Sequence, residues 1–362
     1  MFPEDPDLAM ELKNLTNGTS TIDPATVRCA SFIVYVLTCV IGLVGNAVSI
    51  FIAGFIVKGQ KFKVWFLNLA SADFLFLLFL PFYAVAVFKD SWPYGSAMCK
   101  LYHFLSTWIM YVSIFIITAL NIDRGLSVVQ PIWHLRFFSR RLVYWICGAL
   151  WASAFLLSLP VVFLTDEYDS EGTRQCGIVI SKISNDGRRQ GDVNVNRYLD
   201  PDNLETITVG TIFDIFPDSN ELEDEMTAAA WYQMRNIMEG FLIPYILIGY
   251  FLPLCIIILF NCFIAYRVKN SQTKKSTRIY KVVIAVILVF FLTWTPVVVA
   301  CIIYIRALYT LNLYLIHNII IIMPLLSAIA YSNCCLNPIL YALSGRQVRW
   351  ELKDFIRRKT HL

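Results

Sequence analysis

Seven stretches of this chain are too long and too apolar to be the buried parts of a soluble domain: residues 30–57, 63–88, 97–130, 142–164, 238–266, 279–305 and 312–343. A helix needs about 20 apolar residues to cross the hydrocarbon of a bilayer, and inside lipid every backbone N–H and C=O must find its partner within the element. A β-barrel would need segments of about ten residues alternating in polarity, whereas the run from Val282 to Ile305 is apolar on every face. With 57% hydrophobic residues, 15% charged and a mean hydropathy of +0.61 over 362 residues, a water-facing surface is not available. The fold class expected is an all-α membrane protein, a seven-transmembrane helix bundle followed by a short amphipathic eighth helix.

The flanking charges orient it. The connections 58–63, 131–141 and 267–281 and the tail 344–362 hold 18 of the 30 Lys and Arg, against two acids, Glu351 and Asp354. Positive connections stay on the cytoplasmic side. With an odd number of spans the N-terminus is then outside, in agreement with glycosylation sequons at Asn14 and Asn17. Residues 1–20 are polar and acidic and lack the apolar core of a cleavable signal, so the first span is expected to direct insertion. The organisation that follows is an extracellular segment 1–29, a seven-helix bundle 30–343 with a long second outer loop at 165–237, and a cytoplasmic segment 344–362. In the last of these, Val348, Leu352, Phe355 and Ile356 share one side of a helix ringed by Arg346, Arg349, Lys353 and Arg357, a pattern that lies along the inner leaflet. Only Thr360 follows as a hydroxyl.

Of ten cysteines, seven fall inside the spans (Cys39, Cys147, Cys255, Cys262, Cys301, Cys334 and Cys335) and read as small apolar packers. Three face outward. Cys99 opens the third span and Cys176 lies in the second outer loop, where an oxidising exterior can join them and tie the loop over the bundle; Cys29 has no evident partner. The same loop contains Tyr198 to Glu225, 28 residues with nine acids and no Lys or Arg, expected to be solvated and largely disordered. The tract reads either as a passive spacer or as an electrostatic collector of a basic protein ligand. Tyr198, Asp200 and Asp202 form an acidic setting suited to tyrosine sulfation and ligand capture.

Polar groups inside a membrane are costly and point to function. Asp73 in the second span, Ser113 in the third, and Asn333 and Asn337 at i and i+4 in the seventh converge on one polar centre, either a sodium site or a dry hydrogen-bond network. Asp123-Arg124 stands where the third apolar run stops. Pro296, two residues after Trp294, and Pro338 each remove a backbone donor and predict kinks in the sixth and seventh spans.

These marks together resemble the rhodopsin-like family of G-protein-coupled receptors: Gly45-Asn46, Leu67 through Asp73, Asp123-Arg124, Trp151 with Pro160, Pro253, Phe290 with Trp294 and Pro296, and Asn337-Pro338-Ile339-Leu340-Tyr341. The match covers roughly residues 30–356. It implies that an extracellular ligand favours an open inner face to which a heterotrimeric G protein docks. Asp123, Arg124, Trp294, Pro296, Asn337, Pro338 and Tyr341 would be the moving parts. Two positions depart from the pattern: Gly125 stands where a tyrosine follows Asp-Arg, and Asn261 where a tyrosine is expected eight residues after Pro253. Both are expected to weaken the active state.

Trp92-Pro93-Tyr94-Gly95, Met98-Cys99-Lys100-Leu101 and Val129 through Trp133 look like the chemoattractant branch of anaphylatoxin, chemerin and formyl-peptide receptors. That resemblance implies a plasma-membrane receptor for a chemotactic peptide or small protein, of cationic character, acting on an inhibitory G protein. A decoy receptor without coupling, or a receptor for a lipid mediator, is the alternative. The ligand pocket is expected to be aromatic and weakly polar: His103, Ser106, Thr107, Tyr111, Tyr245, Val297, Tyr304, Met323, Ser327 and Tyr331, with Arg235, Glu239 and Arg306 at its rim. Membrane lipids are the other expected partner and nucleic acid is not expected. With His103, His134, His317 and His361 scattered over different segments and no HExxH or phosphate-binding glycine loop, no catalytic residue is expected, and no cofactor beyond an allosteric sodium ion at Asp73. The seventh span has no lysine for retinal, Ser106 replaces the aspartate of an amine receptor, and the repeats of a transporter are not seen.

Overall fold

The computed structural model describes residues 23–56, 62–170, 172–180, 207–208, 221–269, 277–335 and 357. Seven helical segments among them are long and apolar enough to cross a membrane. Helix α1 (Pro24–Phe51), continued by a π-helical turn (Ile52–Ile56), is the first span; α2 (Phe62–Lys89) and α3 (Gly95–Val129) are the second and third. A short helix, α4 (Pro131–Phe137), precedes the fourth span, α5 (Arg140–Leu164). Next come β1 (Thr165–Ser170), β2 (Thr173–Ile180) and the two-residue β3 (Ile207–Thr208). The fifth span is α6 (Glu221–Ile246) and α7 (Leu252–Lys269), joined through a π-helical turn, Leu247–Phe251. Helix α8 (Thr277–Tyr309) is the sixth, and α9 (Leu313–Tyr331), closed by a 3-10 turn (Ser332–Cys335), the seventh.

Local chemistry sets several boundaries. Asp23 caps α1 by accepting from the Ala25 and Thr26 amides with Pro24 at the first helical position, which satisfies orphan donors and pre-sets φ. That cap starts the first span six residues earlier than its apolar run does. Ser139 caps α5 through the Leu142 amide at 3.2 Å, and Asn312 caps α9 through Leu315 at 2.9 Å. Pro131 opens α4, so the connection 131–141 contains a helix.

The second outer loop is more ordered than its composition suggests. Strands β1 and β2 form an antiparallel hairpin in register from Thr165↔Ile178 to Ser170↔Thr173, turning at Gly172, whose φ of +76° suits a residue without Cβ. Helix α6 begins at Glu221, inside the acidic tract expected to be unstructured. The rest of Tyr198–Glu225, apart from β3, lies outside the described residues, as do Asn14, Asn17, Asn337, Pro338, Tyr341, nearly all of the tail segment 344–362 and Thr360.

Large apolar side chains stand outward along the spans, among them Phe55, Trp145, Phe163 and Leu292, each more than two-thirds exposed. On a soluble protein such a belt would aggregate; here it is the lipid-facing surface. The third span is the most enclosed, with 72% of its apolar window buried against 22% for the fourth, so it is the axis about which the other helices pack.

Candidate ligand and signalling sites

At the hairpin end, Cys99 is bonded to Cys176 with Cα atoms 5.7 Å apart, which fixes β2 to the start of α3. The Trp92 amide donates to the Arg174 carbonyl at 2.6 Å, and Lys100 reaches Asp166 at 2.9 Å, with Ser96 donating to the same carboxylate. Burial alone would raise the Asp166 carboxyl, but the hydrogen bonds of Ser96, Lys100 and the Glu167 amide, with the Lys100 charge, hold it below its ordinary 3.8. The hairpin is thus a lid held by one covalent and several polar ties. Cys29 is free and exposed.

Beneath the lid lies an aromatic chamber. Tyr83 stacks on Tyr102 with centroids 4.5 Å apart and planes 9° from parallel, and Tyr102 stands edge-on to His103 at 5.3 Å. His103 interacts with the Cys176 backbone, while its Nε2 is buried with no hydrogen-bond partner. Tyr111 faces Tyr245 at 6.2 Å. Thr107, Tyr111, Val297 and Tyr304 are buried, whereas Met323, Ser327 and Tyr331 are half-buried. The expected pocket residues therefore occupy the third, fifth, sixth and seventh spans below the hairpin, in a closely packed arrangement. Of the rim charges, Arg235 is neutralised by Glu239 at 3.4 Å and sits 4.9 Å from the rings of both Tyr232 and Tyr309; Arg306 is exposed. Tyr35, edge-on to Tyr83 at 5.7 Å, joins them, and Tyr35, Tyr83 and Tyr102 were not anticipated from sequence, because each is one aromatic among many in an apolar run.

Deeper, Tyr331 meets Trp294 at 6.2 Å and Trp294 stacks over Phe290 at 5.8 Å. Below them is a cavity of about 20 Å³ bounded by Asp73, Ser106, Ser113, Trp294 and Asn333 among others, room for about one water-sized species. Ser113 donates to Asp73 at 3.3 Å. The Asn333 Oδ1 is buried without a partner. A buried carboxylate, a hydroxyl and an orphan carbonyl oxygen around so small a space form a hard-oxygen donor set that fits a small cation. Asn46 donates to the Gly42 and Cys334 carbonyls at 2.9 Å each, while its Oδ1, like that of Asn333, is buried without a hydrogen-bond partner.

The sixth span carries Pro296 inside its helix, which leaves the Leu292 carbonyl without its helical donor. Beside it the Tyr250 and Thr295 hydroxyls are 2.6 Å apart, and Tyr250 belongs to the π-helical turn of the fifth span. Such turns concentrate where helices must shift.

At the basic end, Asp123 is almost fully buried and is approached by Arg124 Nη2 at 3.4 Å and by His134 Nε2, from α4, at 2.8 Å. Sequence reading missed His134: it stands beyond Pro131, and only the turn that proline starts folds it back onto α3. The two departures from the family pattern also prove to have uses. A Cβ at Gly125 would stand 2.5 Å from both Ile264 Cδ1 and Phe260 Cε1, so the glycine lets the fifth span approach the third. Asn261 donates to Asn121 Oδ1 at 3.2 Å and to the Ile257 carbonyl at 2.7 Å. Both positions thus shape the contact between the third and fifth spans.

Comparison with known proteins agrees with this arrangement. Residues 45–191 and 222–341 match the family model described as 7 transmembrane receptor (rhodopsin family). The chain is 31% identical over 339 residues to chemerin-like receptor 1 of Sus scrofa, covering 91% of this chain and 81% of the relative. It is 28% identical over 358 residues to the Homo sapiens protein of that name, covering 96% and 82%. With the C3a anaphylatoxin chemotactic receptor of Danio rerio it shares 29% identity over 344 residues, covering 94% and 79%.

Proposed function

The chain belongs to the rhodopsin family of seven-transmembrane receptors, and from that premise we propose that it is a plasma-membrane receptor for a cationic chemotactic peptide or small protein that activates an inhibitory heterotrimeric G protein. The observation that carries this reading is vertical continuity: a disulfide-anchored lid over an aromatic chamber, the Tyr331–Trp294–Phe290 column below it, and the Asp123–Arg124 pair at the far end. In this reading the hairpin end and the N-terminus are extracellular and the basic end is cytoplasmic. A ligand that fits the chamber better when the fifth and sixth spans separate shifts the population toward an open basic face, by no more than its difference in affinity for the two states.

The ligand class is supported by the relatives, whose names specify chemerin and C3a, and by the acid-rich tract between Tyr198 and Glu225, which would raise the encounter rate of a basic partner. Tyr198, Asp200 and Asp202 are its proposed capture residues. Sodium at Asp73, Ser113, Asn333 and Asn337 is the proposed allosteric ion, bound in the closed state; Asp73→Asn then abolishes sodium sensitivity of agonist binding, and unchanged sensitivity contradicts the site. The specific reason to weigh a non-signalling decoy is the Asn261–Asn121 contact, which favours the closed packing. Cells expressing the chain, challenged with basic chemotactic peptides and complement fragments and read by suppression of cyclic AMP, test the assignment. Suppression by a cationic ligand is expected; saturable binding with no suppression favours the decoy.

A further inference from the structure

We infer that Tyr232, Tyr309 and Glu239 form a guanidinium-binding cage at the hairpin end that Arg235 occupies, and that a cationic ligand enters it by putting its own guanidinium in place of Arg235. The ligand step rests on the receptor reading above. The Arg235 guanidinium carbon lies 4.9 Å from the ring centroids of both Tyr232, three residues before it on α6, and Tyr309, the last residue of α8. Glu239, one turn further along α6, completes the cage: its carboxylate is 3.4 Å from Arg235 Nε, and it also interacts with the Tyr309 hydroxyl. Two electron-rich ring faces and a carboxylate suit a planar, weakly hydrated cation.

Arg235 fills the cage without satisfying it. Arg235 Nε and Glu239 Oε1 are close enough to attract, yet both atoms are shut off from water and neither makes a hydrogen bond, a costly condition for charged groups. Arginine before its acid at i and i+4 is also the weaker order on a helix. An incoming guanidinium, not tied to the α6 backbone, can meet the carboxylate with two parallel N–H donors. The cage is reachable from solvent, since Tyr232 is 48% and Tyr309 57% exposed. Its floor is closely packed: Trp231, Met234 and Met238 of α6 are buried against Tyr304 and Leu308 of α8, and Ile178 of β2 packs on the same cluster. The cage therefore stands beside the strand that the disulfide anchors, with its two helices already in contact beneath it.

The test uses the purified full chain in lipid nanodiscs with ring-fluorinated tyrosine, the Tyr309 resonance being identified by its loss in Tyr309→Phe. The probe is ethylguanidinium chloride, replacing sodium chloride mole for mole. A cage filled by its own arginine binds an outside cation only in proportion to the fraction of time it is empty, so in Arg235→Ala the probe is expected to shift the Tyr309 signal saturably, with a midpoint about tenfold below that of the wild type. Adding Glu239→Gln is expected to abolish the saturable shift. No saturable shift in Arg235→Ala, or one that survives Glu239→Gln, overturns the cage; equal midpoints in wild type and Arg235→Ala overturn its occupation by Arg235. Should Arg235→Ala not fold, Arg235→Gln, close in size but uncharged, is judged by the same criteria. Neither natural ligand nor G protein is needed, so a failure here is distinct from failure of the receptor assignment. For the ligand step, a hexa-arginine peptide is expected to bind Arg235→Ala about tenfold more tightly than the wild type, with a smaller gain for hexalysine; no gain for hexa-arginine overturns the displacement.

Discussion

Single residues at the basic end set how closely the third and fifth spans pack. Gly125 is there because Phe260 and Ile264 occupy the space of its absent side chain. Overpacking costs about 1–3 kcal/mol, while replacing a helical glycine by alanine returns about 1 kcal/mol. Gly125→Ala is therefore expected to lower the melting temperature in nanodiscs despite the better helix former; a rise would mean the notch is not under steric pressure. Asn261 contributes through an interhelical hydrogen bond, and such bonds in membranes average about 0.6 kcal/mol, about threefold in an equilibrium. Asn261→Ala should then raise basal nucleotide exchange about threefold, and a decrease would show that the contact belongs to the open state instead. At the other end, Asp166 titrates lower in the folded protein than its ordinary 3.8. Its contribution is complete above that value and is lost as pH falls through the lower folded one. Wild type should lose more thermal stability than Asp166→Asn between about pH 5 and about pH 3.

Among the elements, the hairpin and the fifth span are where sequence and structure diverge most. The spans themselves were legible because lipid imposes one requirement on every residue of a long run, and a hydropathy pattern carries that directly. A short amphiphilic hairpin such as Thr165–Ile180 has no such signature. Thr165-Asp166-Glu167 reads as solvent-exposed loop, and becomes a strand only because Cys176 is tethered to Cys99 and Asp166 to Lys100. For the same reason α4 was hidden: seven residues carry too little periodicity, and His134 meets Asp123 only through the packing of α4 on α3. Asp73, Ser113 and Asn333 were legible as a polar centre because a charge in the middle of an apolar run has few explanations. The chamber tyrosines were not, since an aromatic in a transmembrane run is as often lipid-facing as enclosed. If the disulfide is what holds the hairpin, Cys176→Ala should speed amide exchange throughout Thr165–Ile180 while leaving α3 protected; equal protection in the variant would assign the ordering to the polar ties alone.

For the whole molecule, the proposed function gives the acidic tract and the bundle separable tasks. Long-range attraction raises association more than it slows dissociation. Deleting Tyr198–Glu225 is therefore expected to lower the association rate of a cationic ligand and flatten its salt dependence, whereas an unchanged rate would make the tract a spacer. In the proposed mechanism the bundle converts the bound ligand into a displaced basic end. A tenfold shift in population needs only about 1.4 kcal/mol, so the departures at Gly125 and Asn261 are expected to tune efficacy without abolishing it. Signalling through Arg124 is tested by agonist-driven nucleotide exchange on purified inhibitory G protein, with wild type, Asn261→Tyr and Arg124→Ala compared side by side. Exchange above background in the wild type, more in Asn261→Tyr and almost none in Arg124→Ala is the predicted result; background exchange in all three with ligand demonstrably bound would contradict it.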